Sequence, residues 1–124
     1  MERNIYRMQD SEGRGPWKPG FSTLWVEDRD DHKNLPPFYE EFGEVGKYIP
    51  RGEFCGSGCK TKKQLKRWFT ESEYNKLIIF GYRAVSLIIT RVVAESDTQL
   101  VFTRPWPLTK GVEYFELYRS CQDK

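Results

Sequence analysis

Between Thr61 and Gly81 the chain spells out two helix starts and one helix stop in quick succession, and no other stretch constrains the fold as much. Thr61 and Gln64 fit a capping box. The threonine hydroxyl takes a free backbone amide of the first turn, and the side chain three residues on reaches back. Leu65, Trp68 and Phe69 then fall on one helical face. Thr70 and Glu73 form a second box, followed by an apolar stripe of Tyr74, Leu77 and Ile78. Gly81 suits the left-handed residue that closes such a helix. The expectation is two short helices joined by a tight corner.

The flanking segments read as strands. Asn4 to Met8 is a short first strand, with Ile5 and Tyr6 as its apolar content. Ala84 to Val93 is rich in β-branched residues and reads as one buried strand. Ala94 to Thr98 is polar and turn-like. Gln99 to Thr103 is a second strand, hairpin-paired with the one before and ended by Pro105 and Pro107. Val112 to Tyr118 looks like a last strand. From Asp10 to Pro50 periodicity is weak, although Glu44 to Ile49 has the makings of a short strand. Prolines fix φ and remove backbone donors, so Pro16, Pro19, Pro36 and Pro37 break regular elements there. The same stretch carries Trp17, Phe21, Trp25, Phe38, Tyr39 and Phe42. So many aromatics point to a packed cap or a functional loop rather than a linker.

A chain of 124 residues suffices for one domain with one core, here residues 1–124. A hydrophobic share of 38% and an aromatic share of 15% indicate a packed globule. The predicted class is α+β: mostly antiparallel sheet, two consecutive short helices, and a long proline- and aromatic-rich N-terminal loop. No apolar run approaches the roughly 18 residues of a membrane helix. Met1 to Gln9 holds no signal-peptide core. Three cysteines, an odd number, suit reduced thiols and a cytosolic setting.

Twenty basic and 18 acidic residues leave a net charge of +2. Charge is concentrated locally at Lys60, Lys62, Lys63, Lys66 and Arg67, which could hold DNA phosphates if the two helices formed a helix-turn-helix. A solvated outer face is the plainer reading. The balanced net charge favours it, and so does a cap threonine at a corner where the DNA motif usually has glycine. Cys55, Cys59 and Cys121 with His32 would make a Cys₃His zinc set, but they come from distant segments without a CxxC pair. Small buried thiols explain them as well, and no metal site is expected. His32 stands among Asp28, Asp30 and Asp31 and could be a base oriented by an acid. No nucleophile accompanies it, so no triad is read. Gly13, Gly15 and Gly20 miss the dinucleotide fingerprint spacing. Arg14, held between two of these glycines, could grip a pyrophosphate bidentately or simply occupy a surface turn.

Three blocks carry a resemblance: Tyr6-Arg7 with the Asp10 to Gly20 stretch, Gln64 to Phe69 with Gly81-Tyr82, and Glu95 to Phe102. They resemble a family of small uncharacterised proteins of bacteriophages and prophages. The order of elements is also similar to the ADP-ribosyltransferase fold, as in certain phage anti-CRISPR proteins of about this size. There a first strand ends in Tyr-Arg or a His, a glycine- and aromatic-containing strand leads into a helix, and a later strand opens with an acidic residue. The resemblance implies an NAD site. Arg7 would hold the diphosphate or ribose. Phe54 or Tyr82 would stack on nicotinamide. An acid would stabilise the charge developing on the ribose. Gln99 stands at the acidic position and is neutral, so Glu95 or Asp97 would have to substitute. If neither reaches the site, the protein binds a nucleotide without transferring it. The implied partner is a host protein, ADP-ribosylated in the host cytosol. The alternative is a non-enzymatic inhibitor that binds its target through the aromatic loop and the lysine-bearing helix. Nucleic acid is the lesser expectation as a partner, and no membrane is expected.

Overall fold

The computed structural model describes residues 3–17, 20–27, 35, 52–89, 91–105 and 109–118. Among the described residues, six strands and two α-helices occur in this order: β1 (Arg3–Gln9), β2 (Glu53–Gly58), α1 (Lys62–Trp68), α2 (Glu71–Ile79), β3 (Arg83–Ile89), β4 (Arg91–Glu95), β5 (Leu100–Pro105) and β6 (Glu113–Phe115). A 3₁₀ turn, Ser22–Leu24, lies among the described residues between β1 and β2. The strand expected at Glu44 to Ile49 falls outside the described residues, as do His32, Cys121, Phe38, Tyr39 and Phe42.

The strands form two antiparallel sheets, in the orders β1-β3-β6 and β2-β5-β4. Backbone bonds between Tyr6 and Cys59, 2.8 Å in each direction, join one sheet to the other. Alternation along β1 and β3 serves two cores. Ile5, Val85, Leu87 and Ile89 meet Leu100 and Phe102 of the second sheet. On the other side Met8 and Ala84 pack with Leu65, Trp68, Tyr74 and Leu77 of the helices and with Trp25 and Leu35 of the loop. Trp25 is fully buried, so the aromatic loop is a packed cap where it is described.

The helix signals act as read, with one change of partner. Thr61 accepts from Gln64 N at 3.0 Å, but Gln64 Oε1 accepts from Lys60 N, one residue before the cap. The Thr70–Glu73 box is complete. Glu73 is fully buried, and its second oxygen accepts from Glu27 N at 2.8 Å, tying the loop to α2. Gly81, at φ 95°, allows Gly81 N to reach Ile78 O and Tyr82 N to reach Leu77 O, the paired bonds of a Schellman stop.

One expectation fails. Ala84 to Val93 is not one strand: β3 ends at Ile89 in the first sheet, and β4 begins at Arg91 in the second. The β-branched run is equally suited to both, so composition hides the crossing. Its trace is a slip in alternation. Val85, Leu87 and Ile89 face the inter-sheet core, and the next to do so is Val92. A bulge follows, because Val92 pairs with Phe102 and Ala94 with Val101. The hairpin partner of β5 is therefore β4 alone.

Candidate functional site

A cleft of about 590 Å³ opens where the two cores meet, within the size range of small-ligand sites. Arg7 and Arg14 are the only charged side chains among the described residues that line it. No carboxylate is among those lining residues. The far wall is aromatic, made by Trp17, Trp68 and Phe69.

Arg7 belongs to the inward row of β1, the row that Ile5 begins. It is 6% exposed, and its Nε and Nη1 are buried without a hydrogen-bond partner. Buried guanidinium nitrogens almost always find acceptors, so this pair stands out. Two rings attend the charge: Cζ lies 5.4 Å from the Phe54 centroid and 5.7 Å from that of Phe102. Burial pushes the guanidinium down to about 10, against a weaker upward pull from Asp10. It stays a cation at neutral pH. Two glycines make room for it. A Cβ on Gly56 would overlap the Phe54 ring and lie 2.7 Å from Arg7 Nη1, and a Cβ on Gly15 would lie 3.2 Å from Nη2.

Arg14 reaches the rim on an arm built by Asp10. One carboxylate oxygen of Asp10 accepts from Glu12 N and Arg14 N, both at 2.9 Å, and Gly13 turns the chain at φ 87°. The Arg14 side chain is largely exposed and pairs with Glu12 at 3.8 Å.

Gln99 lines the cleft and is 3% exposed. Its position follows from α1, which grips the β4–β5 turn. Gln64 Nε2 donates to Asp97 O at 2.6 Å, and Trp68 Nε1 donates to Thr98 O at 2.9 Å. Ser96 N donates to Gln99 O at 2.8 Å.

The structure thus gathers Arg7, Arg14, Phe54 and Gln99 around one cleft. Glu95 and Tyr82 are not among its lining residues. Glu95 is held by Arg3 at 3.2 Å and by Lys60 at 3.5 Å, and the hydrogen bond from Arg3 keeps its carboxyl below the usual range. Glu95 is thus paired with two cations outside the described lining of the cleft. Tyr82 is 2% exposed, stacks on Phe21 at 5.5 Å, and donates from its hydroxyl to Gly15 O at 3.5 Å. It supports the arm from behind. Sequence reasoning missed Trp17 and Trp68 as lining residues. Trp68 was assigned to the core, which it also serves, and Trp17 carried no periodic signal.

Cys55 and Cys59 also line the cleft. Burial raises both thiols, Cys59 to about 12, so neither is a ready nucleophile. No group of three or more metal-ligating residues occurs among the described residues. The basic run is largely engaged within the fold. Lys60 pairs with Glu95, Lys62 lies 4.7 Å from the Phe115 centroid, and Lys66 lies 5.2 Å from that of Tyr118.

No helix among the described residues is long and apolar enough to cross a membrane. A family model described as the bacteriophage T4 Y00F protein matches residues 1–108. No curated protein and no solved structure matches the chain.

Proposed function

We propose that this chain, which belongs to the bacteriophage T4 Y00F protein family, binds NAD or a related nucleotide in the cleft between its two cores. The observation that carries the reading is Arg7: a buried cation with two nitrogens lacking an acceptor, at a site whose described lining offers no carboxylate. A diphosphate supplies the missing acceptors and balances both guanidinium charges. Phe54 beside Arg7, with the opposite aromatic wall, suits the flat rings of a nucleotide. The similarity to ADP-ribosyltransferases rests on the same residues: Arg7 on the first strand, Phe54 on the strand before α1, and Gln99 at the mouth of β5.

Gln99 decides between binding and transfer. A carboxamide hydrogen-bonds a ribose hydroxyl but cannot offset a full positive charge developing on the sugar. Glu95 is committed elsewhere. The arrangement favours a protein that holds the nucleotide without breaking its glycosidic bond, acting on a host partner in the host cytosol. Titration calorimetry with NAD and with ADP-ribose tests this. Binding that disappears in Arg7→Met is the expected result, with no label passing from NAD to proteins of a host lysate. Absence of binding to either compound by the unaltered protein would end the reading.

A second reading, a non-enzymatic inhibitor of a host defence protein, is favoured by one surface. Leu24, Ile79 and Phe80 are exposed, and Phe80 meets Phe21 edge-on at 5.2 Å. Apolar side chains grouped in this way commonly mark a contact with another protein. Co-purification from host cells that succeeds with the unaltered chain and fails with Ile79→Glu would support it.

A further inference from the structure

Of the exposed side chains on the arm from Asp10 to Trp17, two line the cleft: Arg14 and Trp17. We propose that Trp17 is the stacking residue for the base or nicotinamide ring of the bound nucleotide, paired on the same arm with Arg14 at the phosphates. This inference rests on the nucleotide reading and adds to it the place of the ring.

The arm is anchored along its length. The Asp10 carboxylate holds its start. Tyr82 holds the carbonyl of Gly15, and Trp25 Nε1 holds the carbonyl of Pro16 at 3.3 Å. Pro16 and Trp25 are buried, yet Trp17, the next residue along the arm, is 46% exposed. A tryptophan with so much surface left open beside a cavity is costly unless something covers it. Its orientation is also well defined. The ring lies 4.7 Å from Trp25, 6.2 Å from Trp68 and 6.3 Å from Phe69, all centroid to centroid. These contacts hold it as a prepared platform, which reduces the ordering cost of stacking a planar ligand. Arg7 and Gly15 meet within the same cleft, so a phosphate between the two arginines leaves the attached ring at the aromatic wall.

The experiment compares two probes, NAD and inorganic pyrophosphate, by calorimetry and by quenching of tryptophan fluorescence. Loss of base stacking weakens binding by about tenfold to a hundredfold. Trp17→Ala should therefore weaken NAD binding by that factor and leave pyrophosphate binding unchanged, which also shows that the variant is folded. Trp17→Phe should recover part of the loss. In the unaltered protein NAD should quench tryptophan emission, whereas pyrophosphate should not, and the NAD quench should shrink in both variants. Unchanged NAD affinity in Trp17→Ala, with binding still lost in Arg7→Met, would overturn the role of Trp17 and leave the nucleotide site standing. If the unaltered protein binds neither probe, both readings fall together.

Discussion

Ile5 and Arg7 are neighbours on the same inward row of β1, and they solve the same problem in opposite ways. Ile5 is wholly buried and packs among Val85, Leu87, Leu100 and Phe102. Arg7 is almost as deeply buried, but it leaves Nε and Nη1 without acceptors. Folding gains from the first and loses from the second, because a desolvated cation with two nitrogens lacking acceptors costs more than its methylenes return. A position of this kind, bordered by Gly15, Gly56, Phe54 and Phe102, fits the proposed ligand role better than a role in folding. On that proposal, the difference separates the part of the inter-sheet space that serves stability from the part that serves a ligand.

The contrast can be tested from its largest effect downward. Ile5→Ala should cost about 2–5 kcal/mol in chemical denaturation, because it opens a cavity between two sheets that cannot collapse. Arg7→Met should do the reverse and stabilise the chain by about 1–3 kcal/mol while abolishing nucleotide binding. A loss of stability in that variant would mean that the guanidinium serves the fold, and the distinction would vanish. The gain should also depend on pH. Burial lowers the folded-state value to about 10 from 12.5, so the unaltered protein recovers stability as pH rises through that interval. The advantage of Arg7→Met should hold steady below about pH 9 and narrow above it.

Gly56→Ala probes the border between the two parts. Its methyl would displace the Phe54 ring or the guanidinium, at about 1–3 kcal/mol. Ligand affinity should fall along with stability, unlike in Ile5→Ala, where the cleft side chains are untouched. Trp68→Phe keeps a ring but removes the donor to Thr98 O, for about 0.5–1.5 kcal/mol, and should loosen the turn that presents Gln99. The smallest effect belongs to Glu27, which is not among the described lining residues of the cleft. Hydrogen bonds from Ser72 and Lys76 hold its carboxyl below the usual range. Its contribution is present above the ordinary glutamate value and fades as pH falls below it. Glu27→Gln should flatten that part of the acid limb of a melting-temperature profile and leave ligand binding alone.

Local chemistry was the most readable layer. Thr61, Thr70 and Gly81 act through bonds to residues three to five positions away, so their meaning is complete within a short window. The crossing between β3 and β4 was not readable in that way, since both sheets accept the same β-branched side chains. Only the slipped phase at Val92 marks it. The cleft was legible in part. Arg7, Arg14, Phe54 and Gln99 were singled out, and they do share a cavity. Glu95 and Tyr82 were misplaced for reasons that lie across the chain. Arg3, distant in sequence, captures the carboxylate, and the Schellman turn sends Tyr82 toward Phe21 and Gly15. Trp17 stood in a segment without periodicity, where no sequence pattern separates a ring that packs from one that waits for a ligand.

The reciprocal bonds of Tyr6 and Cys59, with the direct passage of the chain from β3 into β4, rivet the sheets together through the main chain. The span of the cavity is thereby set by the backbone and not by the groups that decorate it. Such a frame lends itself to redesign. On the proposed reading, exchanging Gln99, Arg14 or Trp17 should retune which small molecule is accepted while the scaffold keeps its shape.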